Sequence, residues 1–95
     1  MTGNYEVLYI INPNLGEEET AALVAKFKTL AESRGTVTEV DEWGKRKLAY
    51  LIDDLAEGYY VLMSFTADPA FPAELDRLMR INTGIMRSII VSKEA

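Results

Sequence analysis

The chain has 95 residues, of which 48% are apolar and 26% charged, a composition typical of a globular domain rather than a disordered segment. It contains neither cysteine nor histidine, which excludes disulfide frameworks, thiolate metal sites, thiol catalysis and the commonest general base. The formal net charge of −5 at first argues against a polyanionic partner.

The length predicts one domain over residues 1–95, since no Pro/Gly/Ser-rich linker or repeat interrupts the sequence. The longest apolar runs, such as Val7–Ile11 and Tyr59–Met63, hold five residues, whereas a membrane span needs about 18. The first residues show no basic stretch leading into an apolar one, so no secretory signal is visible. We therefore expect a cytoplasmic protein that does not contact a membrane.

The first half of the chain predicts a strand, a helix and a long strand. Tyr5–Ile11 is rich in aromatic and β-branched residues and predicts a strand. Three glutamates, Glu17–Glu19, then suit the N-terminal dipole of a helix, and Gly35 is expected at its C′ position. A second strand is expected from Thr36 to about Ile52, bent near Gly44. The apolar stripe of the helix is Leu23, Phe27, Leu30 and Ala31.

The second half repeats this alternation. Asp53–Gly58 is interpreted as a polar connection and Tyr59–Thr66 as the third strand. Asp68-Pro69 predicts a helix start with Asp68 as N-cap, and Ile85–Val91 predicts the last strand. The apolar stripe of the second helix is Phe71, Leu75, Leu78 and Met79. The element order indicates an α+β fold: a ferredoxin-like βαββαβ plait with a four-stranded antiparallel sheet and two helices on one face.

Both faces of the first and third strands are apolar, although two helices can cover only one face of the sheet. Tyr59, Val61 and Met63 alternate with Tyr60 and Leu62, and Val7, Tyr9 and Ile11 alternate in the same way with Leu8 and Ile10. We expect the uncovered apolar face to bind a partner, which the residues leave open as a protein, a second copy of the chain, or nucleic-acid bases.

The basic residues are gathered into two blocks although the chain is acidic overall. Lys45, Arg46 and Lys47 are consecutive, and residues 77–93 carry Arg77, Arg80, Arg87 and Lys93 without an acid. Such blocks are typical of a phosphate-binding surface, although bases on an edge strand can also serve only to prevent aggregation. No motif for catalysis, a metal or a cofactor accompanies them, so we expect no enzyme.

Two segments carry a resemblance to a known family. Residues 4–15, NYEVLYIINPNL, resemble the opening of the bacterial ribosomal small-subunit protein six family, and residues 43–52, WGKRKLAYLI, are similar to its Gly–basic–Leu-Ala-Tyr signature. The helix ELDRLMRIN followed by the strand IMRSIIV fits the same pattern, so that the resemblance spans essentially the whole chain.

The resemblance implies a structural protein of the small ribosomal subunit, bound to the central domain of its ribosomal RNA and paired through the sheet with the eighteenth small-subunit protein. The rRNA-binding residues that it implies are Lys45, Arg46, Lys47, Arg87, Asn4 and Tyr5. The residues expected at the partner interface are Tyr59, Tyr60, Leu62, Leu8 and Ile10. The alternative from another class is a small ferredoxin-like homodimeric enzyme or ligand-binding protein.

Overall fold

The computed structural model describes residues 3–52 and 55–93. Its strands form one antiparallel sheet in the order β2-β3-β1-β4, which places β1 and β3 at the centre. The elements are β1 (Gly3–Ile11), α1 (Glu17–Arg34), β2 (Gly35–Ile52), β3 (Leu55–Ala67), α2 (Phe71–Arg80) and β4 (Ile85–Lys93). The predicted ferredoxin-like plait is therefore confirmed.

The core lies between the sheet and the two helices. Phe27 and Ala31 of the first predicted stripe are fully buried, as are Phe71, Leu75 and Met79 of the second. Leu23, Leu30 and Leu78 lie at the margin and are only half-buried. From the described part of the sheet, the fully buried side chains are Val7, Tyr9, Ile11, Val61, Met63 and Ala67, with Phe65 nearly so. These sheet residues alternate along β1 and β3, which fixes the face that the helices cover.

Several elements begin or end at residues other than the predicted ones. Helix α2 begins at Phe71, because Asp68 closes a turn in front of it: its Oδ1 accepts the N–H of Ala70 at 3.0 Å and its main-chain oxygen accepts the N–H of Phe71 at 3.0 Å. Asp68 is thus not the N-cap. Strand β3 begins at Leu55, so the predicted polar connection is too long; Asp53 and Asp54 lie outside the described residues.

Gly35 follows α1, but not in the left-handed conformation of a C′ glycine. Its φ is −179°, which is extended backbone open to any residue. A Cβ at Gly35 would instead overlap the main-chain oxygen of Thr66 on the neighbouring strand. The glycine is required by the close approach of β2 to β3. The helix ends at Gly35 as predicted, but Gly35 is its C-cap and not its C′ residue.

The C-terminal end of α1 is tied to the start of α2 by Arg34. Its guanidinium donates to the carboxylates of Asp68 and Glu74 and lies over the Phe71 ring, with Cζ 5.4 Å from the centroid. Partial burial alone raises the pKa of Asp68, but the N–H of Ala70 and the Arg34 guanidinium outweigh it, so the pKa falls below its usual value. The helices are thereby fixed against each other on one face of the sheet.

Candidate RNA- and protein-binding surface

The sheet face opposite the helices carries an apolar centre. Leu8, Tyr60 and Leu62 are half-buried there and Ile10 is 8% exposed, although no helix covers them. Strand β4 extends this surface with Ile89, 54% exposed, which pairs with Leu8 in register. We call these side chains, with the neighbouring Val91, the open apolar patch: Leu8, Ile10, Tyr60, Leu62, Ile89 and Val91. The expectation of apolar residues on both sheet faces is confirmed.

Tyr59 does not belong to the open apolar patch, and its grouping with Tyr60 is corrected. Successive residues of a strand point to opposite faces, so Tyr59 lies on the helix side and packs at the edge of the core. Its hydroxyl donates to Oε1 of Glu42 at 2.9 Å. Burial, together with this carboxylate, raises the pKa of Tyr59 above its usual value.

A bulge in β2 decides which way the three consecutive bases point. The register shifts between Glu42 and Gly44, so Trp43 is the extra residue, and Gly44 has a φ of 81°. After the bulge, Arg46 pairs with Gly58, and the alternation along β2 then places it on the open face. Lys45 and Lys47, on either side of Arg46, point to the helix side.

The two lysines share the helix side with carboxylates. Lys45 lines a cleft of about 380 Å³ together with Glu17 and Glu42, and Lys47 pairs in register with Glu57. No described carboxylate approaches any of the three bases within 4.0 Å, the limit for an ion pair. The predicted basic site is therefore divided between two faces and exposed on both.

An aromatic stack on the open face was missed by the sequence reasoning. The indole of Trp43 lies nearly parallel to the Tyr60 ring, with centroids 6.1 Å apart and an interplanar angle of 10°. Its Nε1 donates to Oδ2 of Asp41 at 3.0 Å, and Cζ of Arg46 lies 5.8 Å from the indole centroid. The bulge at Gly44 was visible in the sequence, but the contact between Trp43 and Tyr60 depends on the register of two strands.

The remaining predicted RNA-binding residues lie elsewhere on the sheet. Arg87 pairs with Ile10 and so lies on the open face of the other edge strand, about 14 Å from β2 across three strand spacings. Asn4 is exposed at the far end of β1, about 20 Å from Ile10 along the strand. Tyr5 points to the helix side and packs on Phe65, with ring centroids 5.8 Å apart. The structure does not bring Asn4 and Tyr5 to the basic triplet.

Among residues 3–52 and 55–93, no group of acidic side chains is arranged to hold a metal ion. Neither described helix is long and apolar enough to cross a membrane.

A family model described as ribosomal protein S6 matches residues 4–92. The chain belongs to the ribosomal protein S6 family.

Individual relatives agree with this assignment. The chain is similar to the small ribosomal subunit protein bS6 of Clostridium novyi (strain NT), with 53% identity over 92 residues that cover 96% of this chain and 97% of the relative. It is 55% identical over 89 residues to the bS6 protein of Desulforamulus reducens, covering 93% of this chain and 94% of the relative. The predicted family is therefore confirmed.

Solved structures confirm the fold. The crystal structure of 30S ribosomal protein S6 from Thermotoga maritima superposes with a TM-score of 0.91 at 34% identity, covering 98% of this chain and 89% of that one. An uncharacterized Thermotoga maritima protein, 10% identical with a TM-score of 0.64, shares the fold alone.

This S6-family chain is a structural protein of the small ribosomal subunit, and it is therefore located in the cytoplasm.

Proposed function

We propose that this S6-family protein binds small-subunit ribosomal RNA through basic side chains at the margins of its sheet, while the neighbouring small-subunit protein eighteen covers the open apolar patch. The observation that carries the proposal is the open face itself, where an apolar centre lies between arginines on both edge strands, Arg46 and Arg87. In this proposal the protein holds the ribosomal RNA and protein eighteen in place and catalyses no reaction.

The exposure of the patch supports a protein partner. Ile89 is 54% and Val91 46% exposed on β4, beside half-buried Leu8 and Leu62. Burying a large aliphatic side chain completely contributes about 1.5–3 kcal/mol, so covering the exposed halves of several such residues stabilises a complex by a few kcal/mol. An apolar surface framed by charge is typical of a protein interface.

The basic residues support an RNA partner. Lys45, Arg46 and Lys47 are exposed on both sides of one edge strand, so they can contact phosphates around that edge while the partner occupies the centre. Phosphate contacts of this kind orient a protein on RNA without reading its sequence. The protein can therefore be acidic as a whole and still bind a polyanion locally.

Asn4 supplies a separate contact at the far end of the sheet in this proposal. Its exposed side chain lies in register with Lys93, which forms an ion pair of 3.7 Å with Glu6. Tyr5, turned to the helix side, supports this end by packing rather than by direct exposure. The contact there is expected to be weaker than the contact at β2, because Lys93, the cation in register with Asn4, is already paired with Glu6.

The test is the salt dependence of binding to a central-domain fragment of small-subunit rRNA, measured with and without protein eighteen. Replacing Lys45, Arg46 and Lys47 together with Ala should weaken binding and reduce the slope of log K against log salt by up to about 2–3, since each phosphate contact contributes about 0.7–0.9. Addition of the partner protein to the wild type should tighten binding.

The matched control replaces Lys26, Lys28 and Arg77, which are exposed on the two helices, with Ala. Both variants shift the net charge by three, from −5 to −8, so general electrostatic repulsion of RNA is equal in the two. An equal loss of affinity and slope in both variants would refute a site at β2. A stable homodimer that buries the patch in sedimentation would contradict the proposed partner.

A further inference from the structure

We infer that Asp41, Trp43 and Tyr60 position the Arg46 guanidinium on the open face, and that Arg46, not Lys45 or Lys47, makes the oriented phosphate contact of the basic triplet. This inference rests on the function proposed above and assigns that function to one side chain and its supports. The three supporting residues are positioning residues, since they act through Arg46.

The Tyr60 and Trp43 rings of the aromatic stack are each held in place by different contacts. Tyr60 belongs to the central strand β3 and is half-buried, so its ring is a fixed base. Trp43 lies nearly parallel to it at 6.1 Å, and the bond from Nε1 to Asp41 sets the rotation of the indole within its plane. Two independent restraints on one indole leave it little rotational freedom, although it is 37% exposed.

The fixed indole in turn restricts Arg46. A guanidinium over an aromatic face is attracted by the ring quadrupole, and its planar shape lets it stack while its N–H groups remain free to donate at the edge. In Arg46 the Cζ lies 5.8 Å from the indole centroid, and no described carboxylate forms an ion pair with the guanidinium. The contact thus restricts the orientations of its donors, which reduces the entropy lost when a phosphate binds.

The two flanking lysines lack such support. Lys45 lies in a cleft with Glu17 and Glu42, and Lys47 faces Glu57 across the strand pair. These carboxylates reduce the local positive potential, and a lysine ammonium on a flexible stem cannot stack as a guanidinium does. The lysines therefore contribute general attraction, whereas Arg46 contributes a positioned contact.

The experiment is a double-mutant cycle on binding of the same rRNA fragment. Trp43→Leu alone should weaken binding about two- to fivefold, the effect expected for losing a cation–π contact at an exposed site. In an Arg46→Ala background the same change should have no further effect, whereas in a Lys45→Ala background it should keep its full effect. A purely structural role of Trp43 would weaken binding in both backgrounds, and this result would overturn the inference.

Two conservative variants sharpen the test. Tyr60→Phe keeps an aromatic ring beneath the indole and should retain the wild-type affinity. Arg46→Lys keeps the charge but cannot stack, so it should lose about as much affinity as Trp43→Leu while the salt slope stays unchanged. A reduced affinity for Tyr60→Phe, or a wild-type affinity for Arg46→Lys, would contradict the positioning role.

The failure of the inference is distinguishable from failure of the proposed function. If the wild-type protein binds the fragment no better than the triple-alanine variant, the proposed function fails. If wild type binds with the expected salt slope and Trp43→Leu binds equally well, only the inference fails. Trp43 is the sole tryptophan of the chain, so its fluorescence in each variant reports directly whether the indole environment has changed.

Discussion

The buried hydroxyl of Tyr9 gives a prediction whose sign can be checked against a matched residue. Tyr9 is fully buried beneath α1, with its ring edge-to-face on Phe27 at 5.8 Å between centroids. Among the described residues, none forms a hydrogen bond with its hydroxyl. A buried polar group left without a partner costs about 1–3 kcal/mol. Tyr9→Phe keeps the ring packing and should raise the free energy of unfolding by about that amount.

Tyr59 supplies the control, because its hydroxyl does have a partner in Glu42. Tyr59→Phe deletes the same atom but removes a hydrogen bond, and should lower the free energy of unfolding by about 0.5–1.5 kcal/mol. Urea unfolding of both variants at pH 7, followed by circular dichroism, measures the two changes. Destabilisation by Tyr9→Phe equal to that by Tyr59→Phe would show that the Tyr9 hydroxyl is satisfied in solution.

The same residue makes stability depend on alkaline pH. Burial, reinforced by Glu42 and Tyr59, raises the pKa of Tyr9 above its ordinary value of 10.0. Below pH 10 the hydroxyl is protonated in both states, whereas above it only the unfolded chain releases the proton, so stability falls as pH rises. One such proton changes stability by about 1.4 kcal/mol per pH unit. The free energy of unfolding of Tyr9→Phe should therefore fall less steeply between pH 10 and pH 12 than that of the wild type.

Two further predictions concern β2 and the open face. Gly35→Ala should lower the free energy of unfolding by about 3 kcal/mol or more, because the added Cβ overlaps the backbone of β3. Gly44→Ala has open space around its Cβ and should lower the free energy of unfolding by only about 1–2 kcal/mol, the cost of a left-handed conformation at a residue with a side chain. Equal losses of stability in thermal unfolding would contradict this prediction. Leu62→Glu should abolish the gain in RNA affinity that protein eighteen gives, a loss of about tenfold. Thr66→Glu places the same charge at the polar end of the open face and should keep that gain. Identical binding of the two variants in a titration with protein eighteen would place the interface elsewhere.

Most of the fold could be predicted from the sequence because the patterns that indicate strands and helices are local. The alternating residues of β1 and β3, the helical stripes through Phe27 and Leu75, and the acidic first turn of α1 each depend on neighbours within a few positions. The element order then leaves few topologies, and the observed strand order β2-β3-β1-β4 agrees with the predicted plait. The ends of elements were less secure, as Asp68 shows, because a side chain can close a turn or cap a helix with the same oxygen.

The family, the plait and the surplus of apolar residues could be read from the amino-acid sequence, since they follow from composition, spacing and a matching motif. The face that each side chain occupies could be read only from the folded chain. One extra residue at Trp43 reverses the alternation of β2, so Arg46 rather than its neighbouring lysines lies on the open face, beside an indole supplied by the bulge and a ring supplied by β3. Strand register joins residues that are distant in the chain, and its effect on orientation is all-or-none: a shift of one position turns every following side chain to the opposite face.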